Sequence, residues 1–284
     1  MLGKVSRYSI YHLINNMYAK KSLGQHFLTS LSAVDAIIDA GDVVANDIIL
    51  EVGPGRGMLT KKLLFFAGKV IAVEKDQELV EFLKEKFKKE IKENKLDLIE
   101  KDILDFDPEI LKFYKEPYKL ITNIPYYITG QLIRKFLETK NQPERMVLML
   151  QKEVAERIVA RNGKGSILSI SVKSYGQPKY IQTVKAGSFS PVPKVDSAIL
   201  LIENISRDFF LPHRQTGKNF SEKEFFAILR AGFKSKRKKL SSNLGTLFDK
   251  EKVLGVFEKL KLDPNLRAED VNIKIWERLA KCLT

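Results

Sequence analysis

The 284-residue chain is 44% hydrophobic and 30% charged, which excludes a disordered or fibrous protein and allows one large domain beside a smaller one. No apolar run reaches the roughly eighteen residues of a membrane span, and the start carries no signal-peptide pattern, so a cytoplasmic protein is expected. The net charge of +14 attracts polyanions such as nucleic acid, although a basic surface that is only well solvated fits the same count.

Residues 1–19 lack periodicity and are read as an N-terminal extension, with Met17 a candidate start just upstream of the interpretable sequence. Short apolar runs and amphipathic segments then alternate. Strands are expected at Ile48–Val52, Lys69–Glu74, Leu96–Glu100, Lys119–Thr122 and Val147–Leu150. Helices are expected at Thr60–Phe66, Gln77–Lys92, Gln131–Leu137 and Glu153–Val159. This alternation is that of an α/β protein with a parallel, doubly wound sheet. Two later runs, Tyr180–Val184 and Ser197–Glu203, flank Ser188-Phe189-Ser190-Pro191-Val192-Pro193 and suit an antiparallel edge. The stretch 207–219, with Pro212 and Gly217, reads as a linker. Four helices follow, at Glu222–Gly232, Lys236–Leu244, Lys250–Leu260 and Glu269–Leu283. Ser221 and Glu224 supply a capping box, while Asp249 and Asp263-Pro264 mark breaks. The expected division is therefore 1–19, 20–206 and a small helical domain at 207–284. The only cysteine, Cys282, rules out an internal disulfide framework and a cysteine-cluster zinc site, and no other ligand cluster indicates a metal.

Three stations mark a nucleotide-cofactor site. The run Ile49-Leu50-Glu51-Val52-Gly53-Pro54-Gly55-Arg56-Gly57 is a strand entering a glycine loop, where Gly53 and Gly55 let the backbone approach a ligand. Glu74 ends the next strand about twenty residues on, where a carboxylate can accept from both ribose hydroxyls. Asp102 follows the third strand, within reach of an adenine amine. These stations alone leave NAD and S-adenosylmethionine both open. The Gly-x-Gly-x-Gly spacing, with no further pyrophosphate cradle, favours S-adenosylmethionine.

Asn123-Ile124-Pro125-Tyr126 follows the fourth strand and would stand beside the glycine loop at the carboxyl ends of the strands. A simple strand-ending turn also explains Asn and Pro there. The chemistry gives a sharper reading. An adenine N6 amine is a poor nucleophile, so its hydrogens need acceptors that turn the lone pair toward a methyl. The Asn123 side chain and a carbonyl beside or at Pro125 supply two. Pro125 stiffens the loop, and Tyr126 can stack on an extruded base.

Asn123-Ile124-Pro125-Tyr126, Lys21-Ser22-Leu23-Gly24-Gln25-His26-Phe27-Leu28 and Ser188-Phe189-Ser190-Pro191-Val192-Pro193-Lys194-Val195-Asp196-Ser197 together resemble the small-subunit ribosomal RNA adenine N6,N6-dimethyltransferases, the kasugamycin-resistance methyltransferase family. The likeness runs from about Lys20 to the C-terminus. It implies a Rossmann-like S-adenosylmethionine methyltransferase domain at 20–206 and an RNA-binding helical domain at 207–284. It also implies that Gln25, His26 and Leu28 pack over the cofactor held by Gly53, Gly55, Glu74, Asp102 and Asn123. Asn123, Pro125 and Tyr126 become the reaction centre. The family often has Asn where this chain has His26. Phe189 would sandwich the target adenine against Tyr126, though outside the family core packing is its simpler account. Lys234, Lys236, Arg237 and Lys238 match a basic segment facing ribosomal RNA, where a solvated helix face is the plainer alternative.

The resemblance further implies methylation of two adjacent adenines in a hairpin near the 3′ end of 16S rRNA. The partner would be an immature small ribosomal subunit, and the enzyme a monomer without a metal. A 23S rRNA adenine N6-methyltransferase of the macrolide-resistance type shares the glycine loop and the Asn-x-Pro-Tyr motif. A ribosome-assembly RNA-binding factor is the alternative from another class. Intact cofactor stations weigh against a purely binding role.

Overall fold

The apolar runs expected as strands do form the parallel part of one sheet. The computed structural model describes residues 19–20, 23–114, 117–211 and 220–284. Residues 1–18 of the 1–19 extension, Lys21 and Ser22 of the N-terminal motif, and 212–219 of the linker lie outside the described residues. Strands β1 (Phe27–Leu28), β2 (Ile48–Val52), β3 (Lys69–Glu74), β4 (Leu96–Glu100), β5 (Tyr118–Asn123), β6 (Arg145–Gln151), β7 (Gln177–Val184), β8 (Phe189–Ser190) and β9 (Ser197–Glu203) follow in chain order. Seven of them make a sheet in the order β4-β3-β2-β5-β6-β9-β7. The pairs from β4 through β6 are parallel, and β9 runs antiparallel to β6. All of β2 is buried, as a parallel strand covered on both faces must be.

Strand order reverses between β2 and β5, where Ile48 pairs with Tyr118 and Leu50 with Leu120. The space beyond the carboxyl ends of these two strands is therefore the switch-point crevice in which open α/β sheets bind ligands. The glycine loop leaves β2 there, and Asn123 ends β5 there.

Helix α1 (Leu31–Gly41) was not expected, although Ala33, Val34, Ile37, Ile38 and Gly41 are buried at helical spacing and Ser30 caps its start. It packs on β6 and β9. Helix α2 (Met58–Phe66) starts at Gly57, and Asp76 caps α3 (Gln77–Lys86) by accepting the Glu78 N–H. The single helix expected over Gln77–Lys92 is broken at Phe87, after which α4 (Lys88–Lys92) runs separately. Phe87 stands at the break with its buried ring seated against the glycine loop, where a Cβ on Gly57 would lie 2.6 Å from it. Helix α5 (Thr129–Glu138) follows the Asn123–Tyr126 loop.

The chain packs as two compact units, one within Met1–Lys152 and Lys179–Glu203, the other within Glu153–Pro178 and Asn204–Thr284. The linear boundary at 206 had left 153–178 with the sheet. Packing puts this segment, with α6 (Lys152–Val159) and α7 (Ile167–Lys173), in the helical unit instead. There Ile170 enters the core around Trp276 and Phe225, the Gly165 N–H donates to the Glu269 carbonyl at 2.6 Å, and Tyr175 donates to Glu222 at 2.6 Å. Helices α8 (Glu222–Gly232), α9 (Leu240–Leu244), α10 (Lys250–Lys259) and α11 (Ile273–Leu283) complete that unit. The Ser221–Glu224 capping box is present.

The helix expected over Lys236–Leu244 forms only from Leu240, so the basic run at 234–239 is an exposed turn. The reason is Asn243. Its buried amide donates to the carbonyls of Gly232 at 2.7 Å and Ser235 at 2.9 Å, which holds the chain in a turn after α8.

Candidate active site

The glycine loop, the ends of β3 and β5, the turn after β4 and residues 23–28 line one cleft that opens to solvent. Gln25, His26, Leu28, Gly53, Gly55, Glu74, Asp102, Asn123, Pro125 and Tyr126 all contribute to its walls, so the structure brings together every expected cofactor and reaction-centre residue.

Gly53 and Gly55 have φ of +64° and +59°, a left-handed conformation that L side chains rarely adopt. A Cβ on Gly53 would meet only Pro125 Cδ at 3.9 Å, so the backbone is bare toward the cleft. Glu74 sits at the floor. Its carboxylate accepts the N–H groups of Lys75 at 2.9 Å and Asp76 at 3.0 Å, with Gly55 at a long 3.4 Å. Burial raises its pKa, and these N–H bonds offset part of the rise. Asp102 accepts the Leu104 N–H at 2.9 Å and pairs with the Lys75 ammonium at 2.7 Å. The Lys75 bond is the main reason its carboxyl stays below the usual range.

Two groups that the sequence did not single out lie beside these. Glu51 on β2 is 2% exposed, and its Oε2 has no hydrogen-bond partner among the described residues. Desolvation pushes its carboxyl up to about 8, against a partial offset from Thr60. Lys86 on α3 donates to the Arg56 carbonyl at 2.5 Å and so braces the glycine loop. Glu51 was legible only as one more residue of an apolar strand. Lys86 carries no local signal at all.

At the other end of the cleft, Asn123 Nδ2 donates to the His26 carbonyl at 3.3 Å. That bond uses one of the two Nδ2 hydrogens, fixes which way the amide faces and leaves Oδ1 as an acceptor. The Pro125 carbonyl accepts the Ile128 N–H at 3.2 Å, whereas that of Ile124 has no backbone donor among the described residues. Ile124 is thus the better source of the second acceptor, a choice the sequence had left open between the residue before proline and proline itself. The Tyr126 ring stacks near His26, with centroids 6.0 Å apart, and its hydroxyl meets Ser197 Oγ at 2.8 Å. His26 itself contacts the Pro191 carbonyl through Nδ1 at 2.8 Å.

Phe189 departs from expectation. It is 2% exposed, pairs with Leu28 in the β1–β8 ladder and joins the core beneath the sheet, not the cleft wall. Core packing is therefore its role in this conformation, because the short ladder turns its side chain inward. Lys234, Lys236, Arg237 and Lys238 all lie on the exposed turn of the helical unit. Among the described residues there is no group of three or more potential ligands that could hold a metal ion, and no helix long and apolar enough to cross a membrane.

The cleft suits an adenosyl sulfonium. A bare glycine backbone, the Glu74 carboxylate and the buried Glu51 carboxyl with an orphan oxygen line it, and Asn123 Oδ1 and Ile124 lie at its end. Fold and site define a Rossmann-like, S-adenosylmethionine-dependent methyltransferase. Residues 16–284 match the model of the family described as ribosomal RNA adenine dimethylase. A ribosomal RNA small subunit methyltransferase A from Dehalococcoides mccartyi strain BAV1 is 43% identical over 263 residues, covering 92% of this chain and 87% of its own. A dimethyladenosine transferase from Plasmodium falciparum is 30% identical, with a TM-score of 0.73, over 89% of this chain and 96% of its own. The 23S rRNA methyltransferase ErmE, at 23% identity, has a TM-score of 0.71 over 90% of this chain and 99% of its own, which shows the fold alone. The chain belongs to the ribosomal RNA adenine dimethylase family.

Proposed function

We propose that this enzyme dimethylates the N6 amines of two adjacent adenines in a hairpin near the 3′ end of 16S rRNA. The substrate is an immature small ribosomal subunit in the cytoplasm, and the enzyme works as a monomer without a metal. The observation that carries this reading is the Asn123 amide anchored on His26, with the Ile124 carbonyl beside it, at the mouth of a glycine-loop cleft. The 43% identity to a small-subunit enzyme supports the choice of target RNA.

Bound S-adenosylmethionine supplies an electrophilic methyl whose sulfonium leaving group already favours transfer. Glu74 would hold the ribose hydroxyls, and Asp102 would face the adenine amine with the lone pairs that Leu104 and Lys75 leave. Asn123 Oδ1 and the Ile124 carbonyl would accept from the target amine and orient its lone pair for transfer, a gain from orientation. Tyr126 stacks on the extruded base. The site must also accept a monomethylated amine, which retains one hydrogen for one of the two acceptors.

Methylation of immature small subunits and of free large-subunit RNA with labelled cofactor, followed by mapping, tests the assignment. Label is expected at two adjacent adenines of the small-subunit RNA. Label confined to large-subunit RNA would overturn it.

The basic turn is assigned to phosphate contacts that position the substrate without reading its sequence. Replacing Lys236, Arg237 and Lys238 together by Ala is expected to weaken RNA binding and to flatten the plot of log affinity against log salt by about 2 to 3. An unchanged slope would return those charges to a solvated surface.

A further inference from the structure

Residues 23–28 form one wall of the cleft and are tied down at both ends, by different means. At the far end the tie is backbone: β1 pairs with β8, and the Thr29 N–H donates to the Ser188 carbonyl at 2.8 Å. At the near end it is made of side chains that converge on Asp76. Lys20 Nζ reaches Asp76 Oδ1 at 2.8 Å and pairs also with the exposed Glu78 Oε1 at 3.1 Å, and Gln25 Nε2 reaches Asp76 Oδ2 at 2.9 Å. Gln25 Oε1 in turn accepts the Lys20 N–H at 2.8 Å, which closes the loop onto itself. Asp76 is 5% exposed. Its own N–H donates to Glu74 Oε1 at 3.0 Å, and its Oδ1 also caps α3 through Glu78.

Asp76 therefore links three things: its carboxylate joins the N-terminal segment to the start of α3, and its backbone N–H joins both to the Glu74 carboxylate at the cleft floor. A helix cap needs only one of these contacts. The two bonds to Lys20 and Gln25 add nothing to the cap, yet they take up both oxygens of a group that is costly to bury. Lys20 is 37% exposed at the side chain, so this end of the segment can be released without breaking a backbone ladder.

We propose that Asp76 is a positioning residue for the cofactor: through Lys20 and Gln25 it clasps residues 23–28 over the cleft, and through its N–H it sets the orientation of Glu74. This rests on the cleft being the S-adenosylmethionine site. Release of the clasp opens one wall, and repeated methyl transfer requires such an opening each time product leaves and fresh cofactor enters. Charge-assisted hydrogen bonds between a buried carboxylate and a tethered segment are strong enough for their loss to be read in affinity.

The test measures S-adenosylhomocysteine binding by calorimetry and amide exchange of residues 23–28 in the cofactor-free protein. Lys20→Met leaves the α3 cap intact, and Asp76→Asn keeps one cap acceptor, so both variants are expected to fold. Each should weaken binding roughly tenfold, the double variant should be little worse than either single one, and Lys20→Arg should restore most of the loss. In methylation assays the KM for cofactor should rise much more than kcat falls. Exchange at residues 23–28 should quicken in Lys20→Met before any cofactor is added. Binding within twofold of the parent, or unchanged exchange, overturns the clasp. Glu74→Gln separates the two failures. If it weakens binding while the clasp variants do not, the cleft stands and the clasp falls. If it has no effect either, the cleft assignment falls and takes the clasp with it.

Discussion

Asn123→Ala is expected to lower the single-turnover rate of methyl transfer by roughly 10²- to 10³-fold, the usual cost of deleting one preorganised hydrogen-bonding group at a reacting centre. Cofactor affinity and RNA affinity should change far less, since Glu74, Asp102 and the basic turn remain. Asn123→Asp makes the more pointed test. It keeps an acceptor at the right place but loses the Nδ2 donor that anchors the side chain on the His26 carbonyl at 3.3 Å. A carboxylate there also faces a carbonyl oxygen across that gap. The Asp variant should therefore fall nearly as far as Ala, because orientation and not mere basicity is what Asn123 provides. Near-normal transfer by either variant, measured with labelled cofactor under single turnover, would remove Asn123 from the reaction centre.

Glu51→Gln should change how stability depends on pH. Burial raises the Glu51 carboxyl in the folded chain to about 8 from an ordinary 4.5. The folded protein thus keeps a proton that the unfolded chain has released throughout that interval. Stability contributed by this group is fully present below pH 4.5 and drains away as pH rises toward 8, at up to about 1.4 kcal/mol per pH unit. Gln has the same shape and does not titrate. The parent should lose stability relative to Glu51→Gln as pH climbs from 5 to 8, by about 3 to 4 kcal/mol across that interval. Urea midpoints of the cofactor-free proteins at several pH values check this. Parallel curves would mean that Glu51 is solvated or ionised in the folded state.

The strands at Ile48–Val52 and Lys69–Glu74 were legible to the residue, because strands of a covered parallel sheet are written as short apolar runs. The edge strand Leu96–Glu100, buried only at Leu96, was marked by its alternation of apolar and charged residues at the ends. The same local character exposed the glycine loop, Glu74, Asp102 and the Asn123–Tyr126 loop, each at the end of one such run. Helix α1 carries an equally local signal in Ala33, Val34, Ile37 and Ile38, buried at helical spacing. The basic run at 234–239 misled for a physical reason. Lys and Arg are good helix formers, but Asn243, farther along the chain, holds the Gly232 and Ser235 carbonyls in a turn.

By itself the sequence determined the class of chemistry and the order of its stations, since each station needs only a strand, a turn and the right residue at their junction. Tertiary structure alone decided what each station touches. It placed Phe189 in the core, left Glu51 with an orphan oxygen, and divided the chain so that 153–178 pack with the helices. It also brought Lys20 and Gln25 onto Asp76 across separations of 56 and 51 residues. Such contacts depend on how distant segments close over the carboxyl ends of β2, β3 and β5, and no local pattern encodes that closure.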